Sequence, residues 1–169
     1  MGEKLTIDLD NLREDERAKL MEIIENATKR KNEPWKPEYE NRYYLVSSDA
    51  TVDYATWYDW GYDKNRYELG NCFKTKEEAE FVAERIKVIA ELRRFAKTHN
   101  SPKFDRNISG CEKWYLLYGQ STDKIEISYG KYIFNPEAIF ENENIARAAI
   151  KEIGEDRLKK YYFCIPDDK

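Results

Sequence analysis

Phe73-Lys74-Thr75-Lys76-Glu77-Glu78-Ala79 is the stretch that decides how the chain is read. Thr75 followed three residues later by Glu78 forms a capping box. The hydroxyl takes the amide at the third helical position and the carboxylate reaches back to the cap amide. Ala79, Val82, Ala83, Ile86, Ile89, Ala90 and Leu92 then recur at helical spacing, which predicts a long helix to about Lys97. At an offset of 67, Phe140-Glu141-Asn142-Glu143-Asn144-Ile145-Ala146 repeats the pattern, Phe on Phe and cap on cap. Val82 falls on Ala149 and Ile86 on Ile153, so the chain reads as two copies of a strand-strand-(strand)-helix unit.

The residues before each helix are β-formers. Tyr43-Tyr44-Leu45-Val46 and the alternating Val52, Tyr54, Thr56, Tyr58 and Trp60 flank a Ser47-Ser48-Asp49 turn, and Arg66-Tyr67-Glu68-Leu69 reads as a third short strand. In the second copy Trp114 to Tyr118 and Lys124 to Tyr129 form a strand pair around Gly119 to Asp123, with Tyr132-Ile133-Phe134 as a third strand. Asn142 caps the second helix, Gly154 fits its exit, and a short terminal helix runs from Leu158 to Phe163. Leu9, Leu12, Leu20, Met21, Ile24 and Ala27 form an apolar stripe, predicting an amphipathic helix from about Arg13 to Lys29. Its acidic start and basic end complement the helix dipole.

The expected organisation is an N-terminal helix (1–31), a Pro/Trp linker (32–41), a first unit (42–98), a second linker (99–113) and a second unit (114–169), all in one compact domain. The fold class is α+β: an antiparallel sheet built from both units, covered by the two repeat helices, with the N-terminal helix packed on or tethered beside them.

A chain of 169 residues can bury one real core, and 41% hydrophobic with 37% charged residues excludes an acidic disordered tail, collagen and low complexity. No run of about 18 apolar residues occurs, and Met1-Gly2-Glu3-Lys4-Leu5 lacks a signal-peptide core, so the protein is expected in the cytoplasm without a membrane partner. Residues 1–85 carry 14 basic against 20 acidic side chains and residues 86–169 carry 15 against 13, an asymmetry that argues against a generic nucleic-acid binder. Cys72, Cys111 and Cys164 are isolated, which suggests neither a disulfide framework nor a zinc site. His99, the only histidine, sits at a helix exit where a catalytic role is not expected.

Gly70-Asn71-Cys72-Phe73-Lys74-Thr75-Lys76-Glu77-Glu78-Ala79-Glu80-Phe81 resembles a motif of small proteins encoded by phages and prophages of Firmicutes and gut bacteria. Trp35-Lys36-Pro37, Tyr43-Tyr44 and the closing Ile153-Gly154-Glu155-Asp156 fit the same family layout, so the resemblance spans nearly the whole chain. It implies a mobile-element protein acting inside a bacterial host cell, and it brings no catalytic residues to transfer.

Asp49 to Asp63 carries four aspartates, no lysine or arginine, and five aromatics. Carboxylates beside Tyr and Trp suit capture of a basic protein surface, and Asp49, Asp53, Trp57, Asp59 and Asp63 are the candidate partner-binding residues. The blander reading sets Tyr54, Thr56, Tyr58 and Trp60 in the core with Asp53, Trp57 and Asp59 facing out. Arg93, Arg94 and Lys97 on the long helix offer an alternative nucleic-acid or nucleotide site, with sheet aromatics such as Tyr115 and Tyr118 as stacking platforms. Clustered Asp49, Asp53, Asp59 and Asp63 would be needed for a metal-dependent hydrolase. No phosphate loop, dinucleotide fingerprint, calcium loop or nucleophile elbow is present. The sequence therefore predicts a non-enzymatic accessory protein without cofactor or metal, binding and modulating a host protein, with inhibition of a defence or nucleic-acid enzyme as its most specific form.

Overall fold

Tyr43, Tyr44, Leu45 and Val46 favour extended backbone, and in the computed structural model they lie in strand β1 (Arg42–Val46). The structure describes residues 12–32, 34–105, 111–131 and 136–166, with only the backbone of 26–32. It is mixed α+β, with two small antiparallel sheets and helices between and after them. Strand β1 pairs with β2 (Val52–Thr56), setting Tyr44 opposite Tyr54 and Leu45 opposite Asp53. Strands β3 (Lys113–Gly119) and β4 (Lys124–Gly130) form the second hairpin, with Trp114 opposite Tyr129 and Leu116 opposite Ile127.

The hairpins do not join into the single sheet expected from the sequence. The long helix keeps them apart by serving each with a different half. Helix α3 (Lys76–His99) starts at the Thr75–Glu78 capping box, where Glu78 N–H donates to the Thr75 hydroxyl at 3.2 Å and Thr75 N–H returns to the Glu78 carboxylate at 3.2 Å. At 24 residues it is about 36 Å long. Its first half sends Ala79 and Ala83 against Tyr44, Val46, Val52 and Phe73. Its second half sends Val88, Leu92, Phe95 and Ala96 into a core with Leu116, Phe140, Ala149 and Leu158. The apolar stripe shifts between Ala83 and Val88 and bypasses Ile86, which is half exposed rather than core as its spacing suggested.

The expected strand at Arg66–Leu69 is instead part of helix α2 (Gly61–Glu68), and Leu69 at its end is 83% exposed. Gly70, at φ +69°, closes α2: its N–H donates to the Tyr67 carbonyl while Asn71 N–H reaches the Arg66 carbonyl. That pair of bonds is a Schellman exit, which needs the left-handed backbone that glycine adopts without strain.

Each long loop then returns one phenylalanine to the first strand of its hairpin. Phe73 exchanges two backbone hydrogen bonds with Tyr44 at 2.9 Å, and Phe140 exchanges two with Trp114 at 3.0 and 2.8 Å. Asparagine amides extend both contacts. Asn71 takes Val46 N–H at 2.8 Å and donates to the Val46 carbonyl at 2.9 Å. Asn100, capping the end of α3, donates to the Ile139 carbonyl and accepts from Glu141 N–H.

Helix α4 (Glu143–Ile153) starts where the Asn142 side chain accepts from Ile145 N–H at 3.1 Å. Gly154, at φ +96°, turns the chain into the short α5 (Glu155–Arg157) and a π turn over Leu158–Tyr162. Leu158 is fully buried, and Arg157 grips Glu91 of α3 with two hydrogen bonds of 2.8 and 3.2 Å. The expected third strand at Tyr132–Phe134 lies outside the described residues, as does Leu9.

The chain divides between Lys36 and Pro37 into two units. The first holds helix α1 (Glu14–Asn32), with Glu14, Asp15 and Glu16 in its first turn and Met21 and Ile23 exposed. Everything from β1 onward belongs to the second unit. Among the described residues no helix is long and apolar enough to cross a membrane.

Candidate functional site

Period-two alternation along β1 and β2 gives the first hairpin two faces. Tyr44, Val46 and Val52 turn toward α3. Tyr43, Leu45 and Ala55 turn the other way, packing with Trp57, Tyr67 of α2 and Cys72. Both faces of β1 are therefore covered, while Asp53 and Tyr54 of β2 stay exposed. Trp57, expected outside, is 2% exposed. Tyr54 and Trp60, expected in the core, are 57% and 54% exposed. The alternation expected through Trp60 stops at Thr56, where β2 ends; Asp59 then takes φ +59° and Trp60 caps α2.

Asp63 is the hub of this region and is 0% exposed, so it offers no contact surface either. It sits in the first turn of α2, where a carboxylate suits the unpaired amides of a helix start. One oxygen accepts Tyr58 N–H at 3.0 Å and Trp60 N–H at 3.2 Å. The other accepts the Tyr43 hydroxyl at 2.8 Å, and Arg66 donates to that same hydroxyl at 3.0 Å. Burial pushes the Tyr43 phenol up to about 12, although the hydrogen bond from Arg66 opposes the shift. Burial likewise pushes the Cys72 thiol up to about 11. These are the signs of a closed structural network, with both oxygens of the buried carboxylate hydrogen-bonded.

Two rows of rings lie on either side of this hub. The buried row runs Tyr43–Trp57–Tyr67 with edge-on contacts at 6.0 and 6.2 Å. The outer row runs Tyr39–Tyr58–Trp60–Tyr62, with successive centroids 5.8, 5.0 and 5.4 Å apart. Tyr58 and Trp60 are tilted by only 33°, while the other two contacts are edge-on. Tyr39 and Tyr62 are 65% and 46% exposed, so the outer row is a ridge of rings in water, held from below by Asp63 through the backbone of Tyr58 and Trp60. The Arg66 guanidinium lies 5.3 Å from the Tyr62 centroid, and the Arg42 guanidinium 4.3 Å from that of Tyr54.

The remaining aspartates are scattered rather than gathered. Asp49 sits at the hairpin tip, where its carboxylate accepts the Thr51 hydroxyl at 2.7 Å and Thr51 N–H at 3.1 Å, and that hydroxyl bond holds it below the usual carboxylate range. Asp53 lies in β2, exposed, accepting Tyr54 N–H at 2.7 Å. Asp59, between Tyr58 and Trp60 in the chain, takes φ +59° and pairs with Lys64 at 3.1 Å. The five-residue strand β2 puts about 16 Å between the tip and the ridge, so the four aspartates do not form one acidic cluster. Among the described residues no three His, Cys, Asp or Glu side chains group to hold a metal ion.

The basic helix residues divide between two hollows. Arg93 is paired with Glu137, and it shares an open groove with Lys97, Phe104 and Pro136. Arg94 lines a different hollow with Glu91, His99 and Glu152. Arg93 and Lys97 thus share a face as their spacing suggested, and Arg94 does not join them. His99 stacks on Phe95 at 3.8 Å.

Sequence reasoning missed Tyr39 and Arg66 and placed Trp60 in the core. A signal for the ridge was available: Asp63 three residues after Trp60, and Gly70 after Leu69, bracket a helix rather than a strand. No protein-family model matches the chain, and neither a curated protein nor a solved structure does.

Proposed function

We propose that the protein is a non-enzymatic accessory protein that binds a partner protein through the aromatic ridge Tyr39–Tyr58–Trp60–Tyr62 and the adjoining Asp59. The observation that carries this reading is an exposed Trp and two exposed Tyr set on a rigid, fully hydrogen-bonded base. Rigid exposed aromatics are the residues from which protein-binding hot spots are made. The resemblance to phage and prophage proteins supplies the setting: a bacterial cytoplasm, a host protein as target, and a defence or nucleic-acid enzyme as its most specific form. The nucleic-acid alternative is weaker, because Arg93 is engaged by Glu137 and Arg94 faces elsewhere.

The two hairpins with their following helices are read as copies of one ancestral unit. In support, the Phe73–Tyr44 and Phe140–Trp114 bridges occupy matching places ahead of capped helices.

The test is a pull-down from bacterial lysate, with and without nuclease, comparing the wild type with Trp60→Ala/Tyr62→Ala and with Lys97→Ala. A nuclease-resistant protein lost only from the double variant supports the ridge. Recovery of nucleic acid alone, or a partner lost with Lys97→Ala, overturns it.

A further inference from the structure

We infer that helix α1 pairs antiparallel with α1 of a second copy of this chain, about a two-fold axis near Ile23. The inference concerns the first unit alone and does not draw on the aromatic ridge.

Three observations lead to it. First, α1 has an apolar side that no other element of its own unit covers. At helical spacing Leu20, Met21, Ile23 and Ile24 share one side, and Met21, Ile23 and Ile24 are exposed. Among the described residues α1 is the only element of the first unit. A helix of 19 residues is marginal in water on propensity alone and depends on the packing of such a side. Second, the charges of α1 divide about its midpoint, Ile23. Residues 14–22 hold four acids against two bases and residues 24–32 three bases against one acid, net −2 and +2. Adding the flanking Arg13 and Glu33 leaves both signs unchanged. An antiparallel copy sets each acidic half against a basic half, whereas a parallel copy sets like on like. Opposed helix dipoles favour the same direction. Third, the apolar residues 20–24 lie at that same midpoint. One antiparallel register about Ile23 therefore lays apolar on apolar and acid on base together. This is the self-complementarity that a two-fold interface requires, and it selects a second copy over a foreign partner.

The experiment measures the mass of the full chain by sedimentation equilibrium over a range of concentrations at low salt, where exposed charges are least screened. The wild type is expected to pass from monomer to dimer as concentration rises. Ile23→Lys, which sets two like charges at the axis, should weaken association by about tenfold or more. Melting of the second unit should stay unchanged in that variant, because α1 lies outside it. Reversing the first turn with Glu14→Lys/Asp15→Lys/Glu16→Lys makes both halves basic and should weaken association by about the same factor. Adding Lys29→Glu/Arg30→Glu/Lys31→Glu should restore the dimer. Each helix then opposes its own dipole, so the recovery cannot come from a steadier helix. In a parallel pair the same double reversal would deepen the repulsion. A wild type that stays monomeric at every concentration overturns the inference. So does a dimer that persists in Ile23→Lys, or a double reversal as weak as the single one. If the wild type is monomeric and Ile23→Lys lowers the melting temperature of the second unit, that unit is the cover of α1 instead.

Discussion

The two hairpins share a plan and differ in how much of them is covered. The first has α3 on one face and α2 with Trp57 and Tyr67 on the other. The second turns Trp114, Leu116, Ile125 and Ile127 into the core, while Leu117 and Tyr129 are exposed. The difference lies in the segment returning from the hairpin to the bridging phenylalanine. Between Thr56 and Phe73 it is long enough to form a helix, whereas between Gly130 and Phe140 it is much shorter. Helix α2 covers one face of the first hairpin with rings and brings in Asp63. Trp60 and Tyr62, at its start, stay exposed. The candidate binding surface lies where the connecting segment is longer.

That contrast can be broken first at Asp63. Asp63→Ala removes the acceptor for a buried hydroxyl and two amides and should cost about 3 kcal/mol or more in urea unfolding. In the second hairpin the corresponding weakness is apolar: Leu116→Ala should cost about 3 kcal/mol by leaving a cavity, with no dependence on pH. The alkaline limb sharpens the comparison. Tyr43 titrates near 10 when unfolded and at about 12 when folded, so the stability linked to its neutral form is complete below pH 10 and is lost as pH rises toward 12. Cys72, raised to about 11, loses its share from pH 9 upward. Tyr43→Phe should therefore flatten the alkaline fall in melting temperature, and Leu116→Ala should leave its slope unchanged. Smaller again are the caps: Thr75→Ala and Asn142→Ala should each cost about 1 kcal/mol. The smallest effect is expected at Leu117→Lys on the open side of β3, within about 0.5 kcal/mol, whereas a lysine at Leu45 in the covered hairpin should prevent folding.

Much of this architecture is legible in local chemistry. The Thr75–Glu78 box, the Asn142 cap and both strand pairs announce themselves because each rests on residues within a few positions of one another. What misleads is Tyr67 and Leu69, whose alternation reads as a strand although Asp63 and Gly70 mark the ends of a helix. Trp57 and Trp60 exchange their expected places because β2 ends at Thr56 and Trp60 already caps α2. A strand's alternation defines two faces, and only the tertiary partner α2 decides which is dry. The motif around Asn71 reads as ancestry in the sequence. In the structure Asn71, Thr75 and Glu78 bond backbone, at Val46 and at the α3 start, and Gly70 closes α2.

Helix α3 belongs to two cores at once, and this makes the two hairpins thermodynamic reporters of each other. A helix whose first half is held by Val46 and whose second half is held by Leu116 gains little from fraying at one end while the other stays packed. Amide protons near Glu84 and Ile86, midway between the cores, should therefore exchange only through global opening. A ligand seated on the first hairpin would then slow exchange in the second, roughly 20 Å along the helix, without any change of shape.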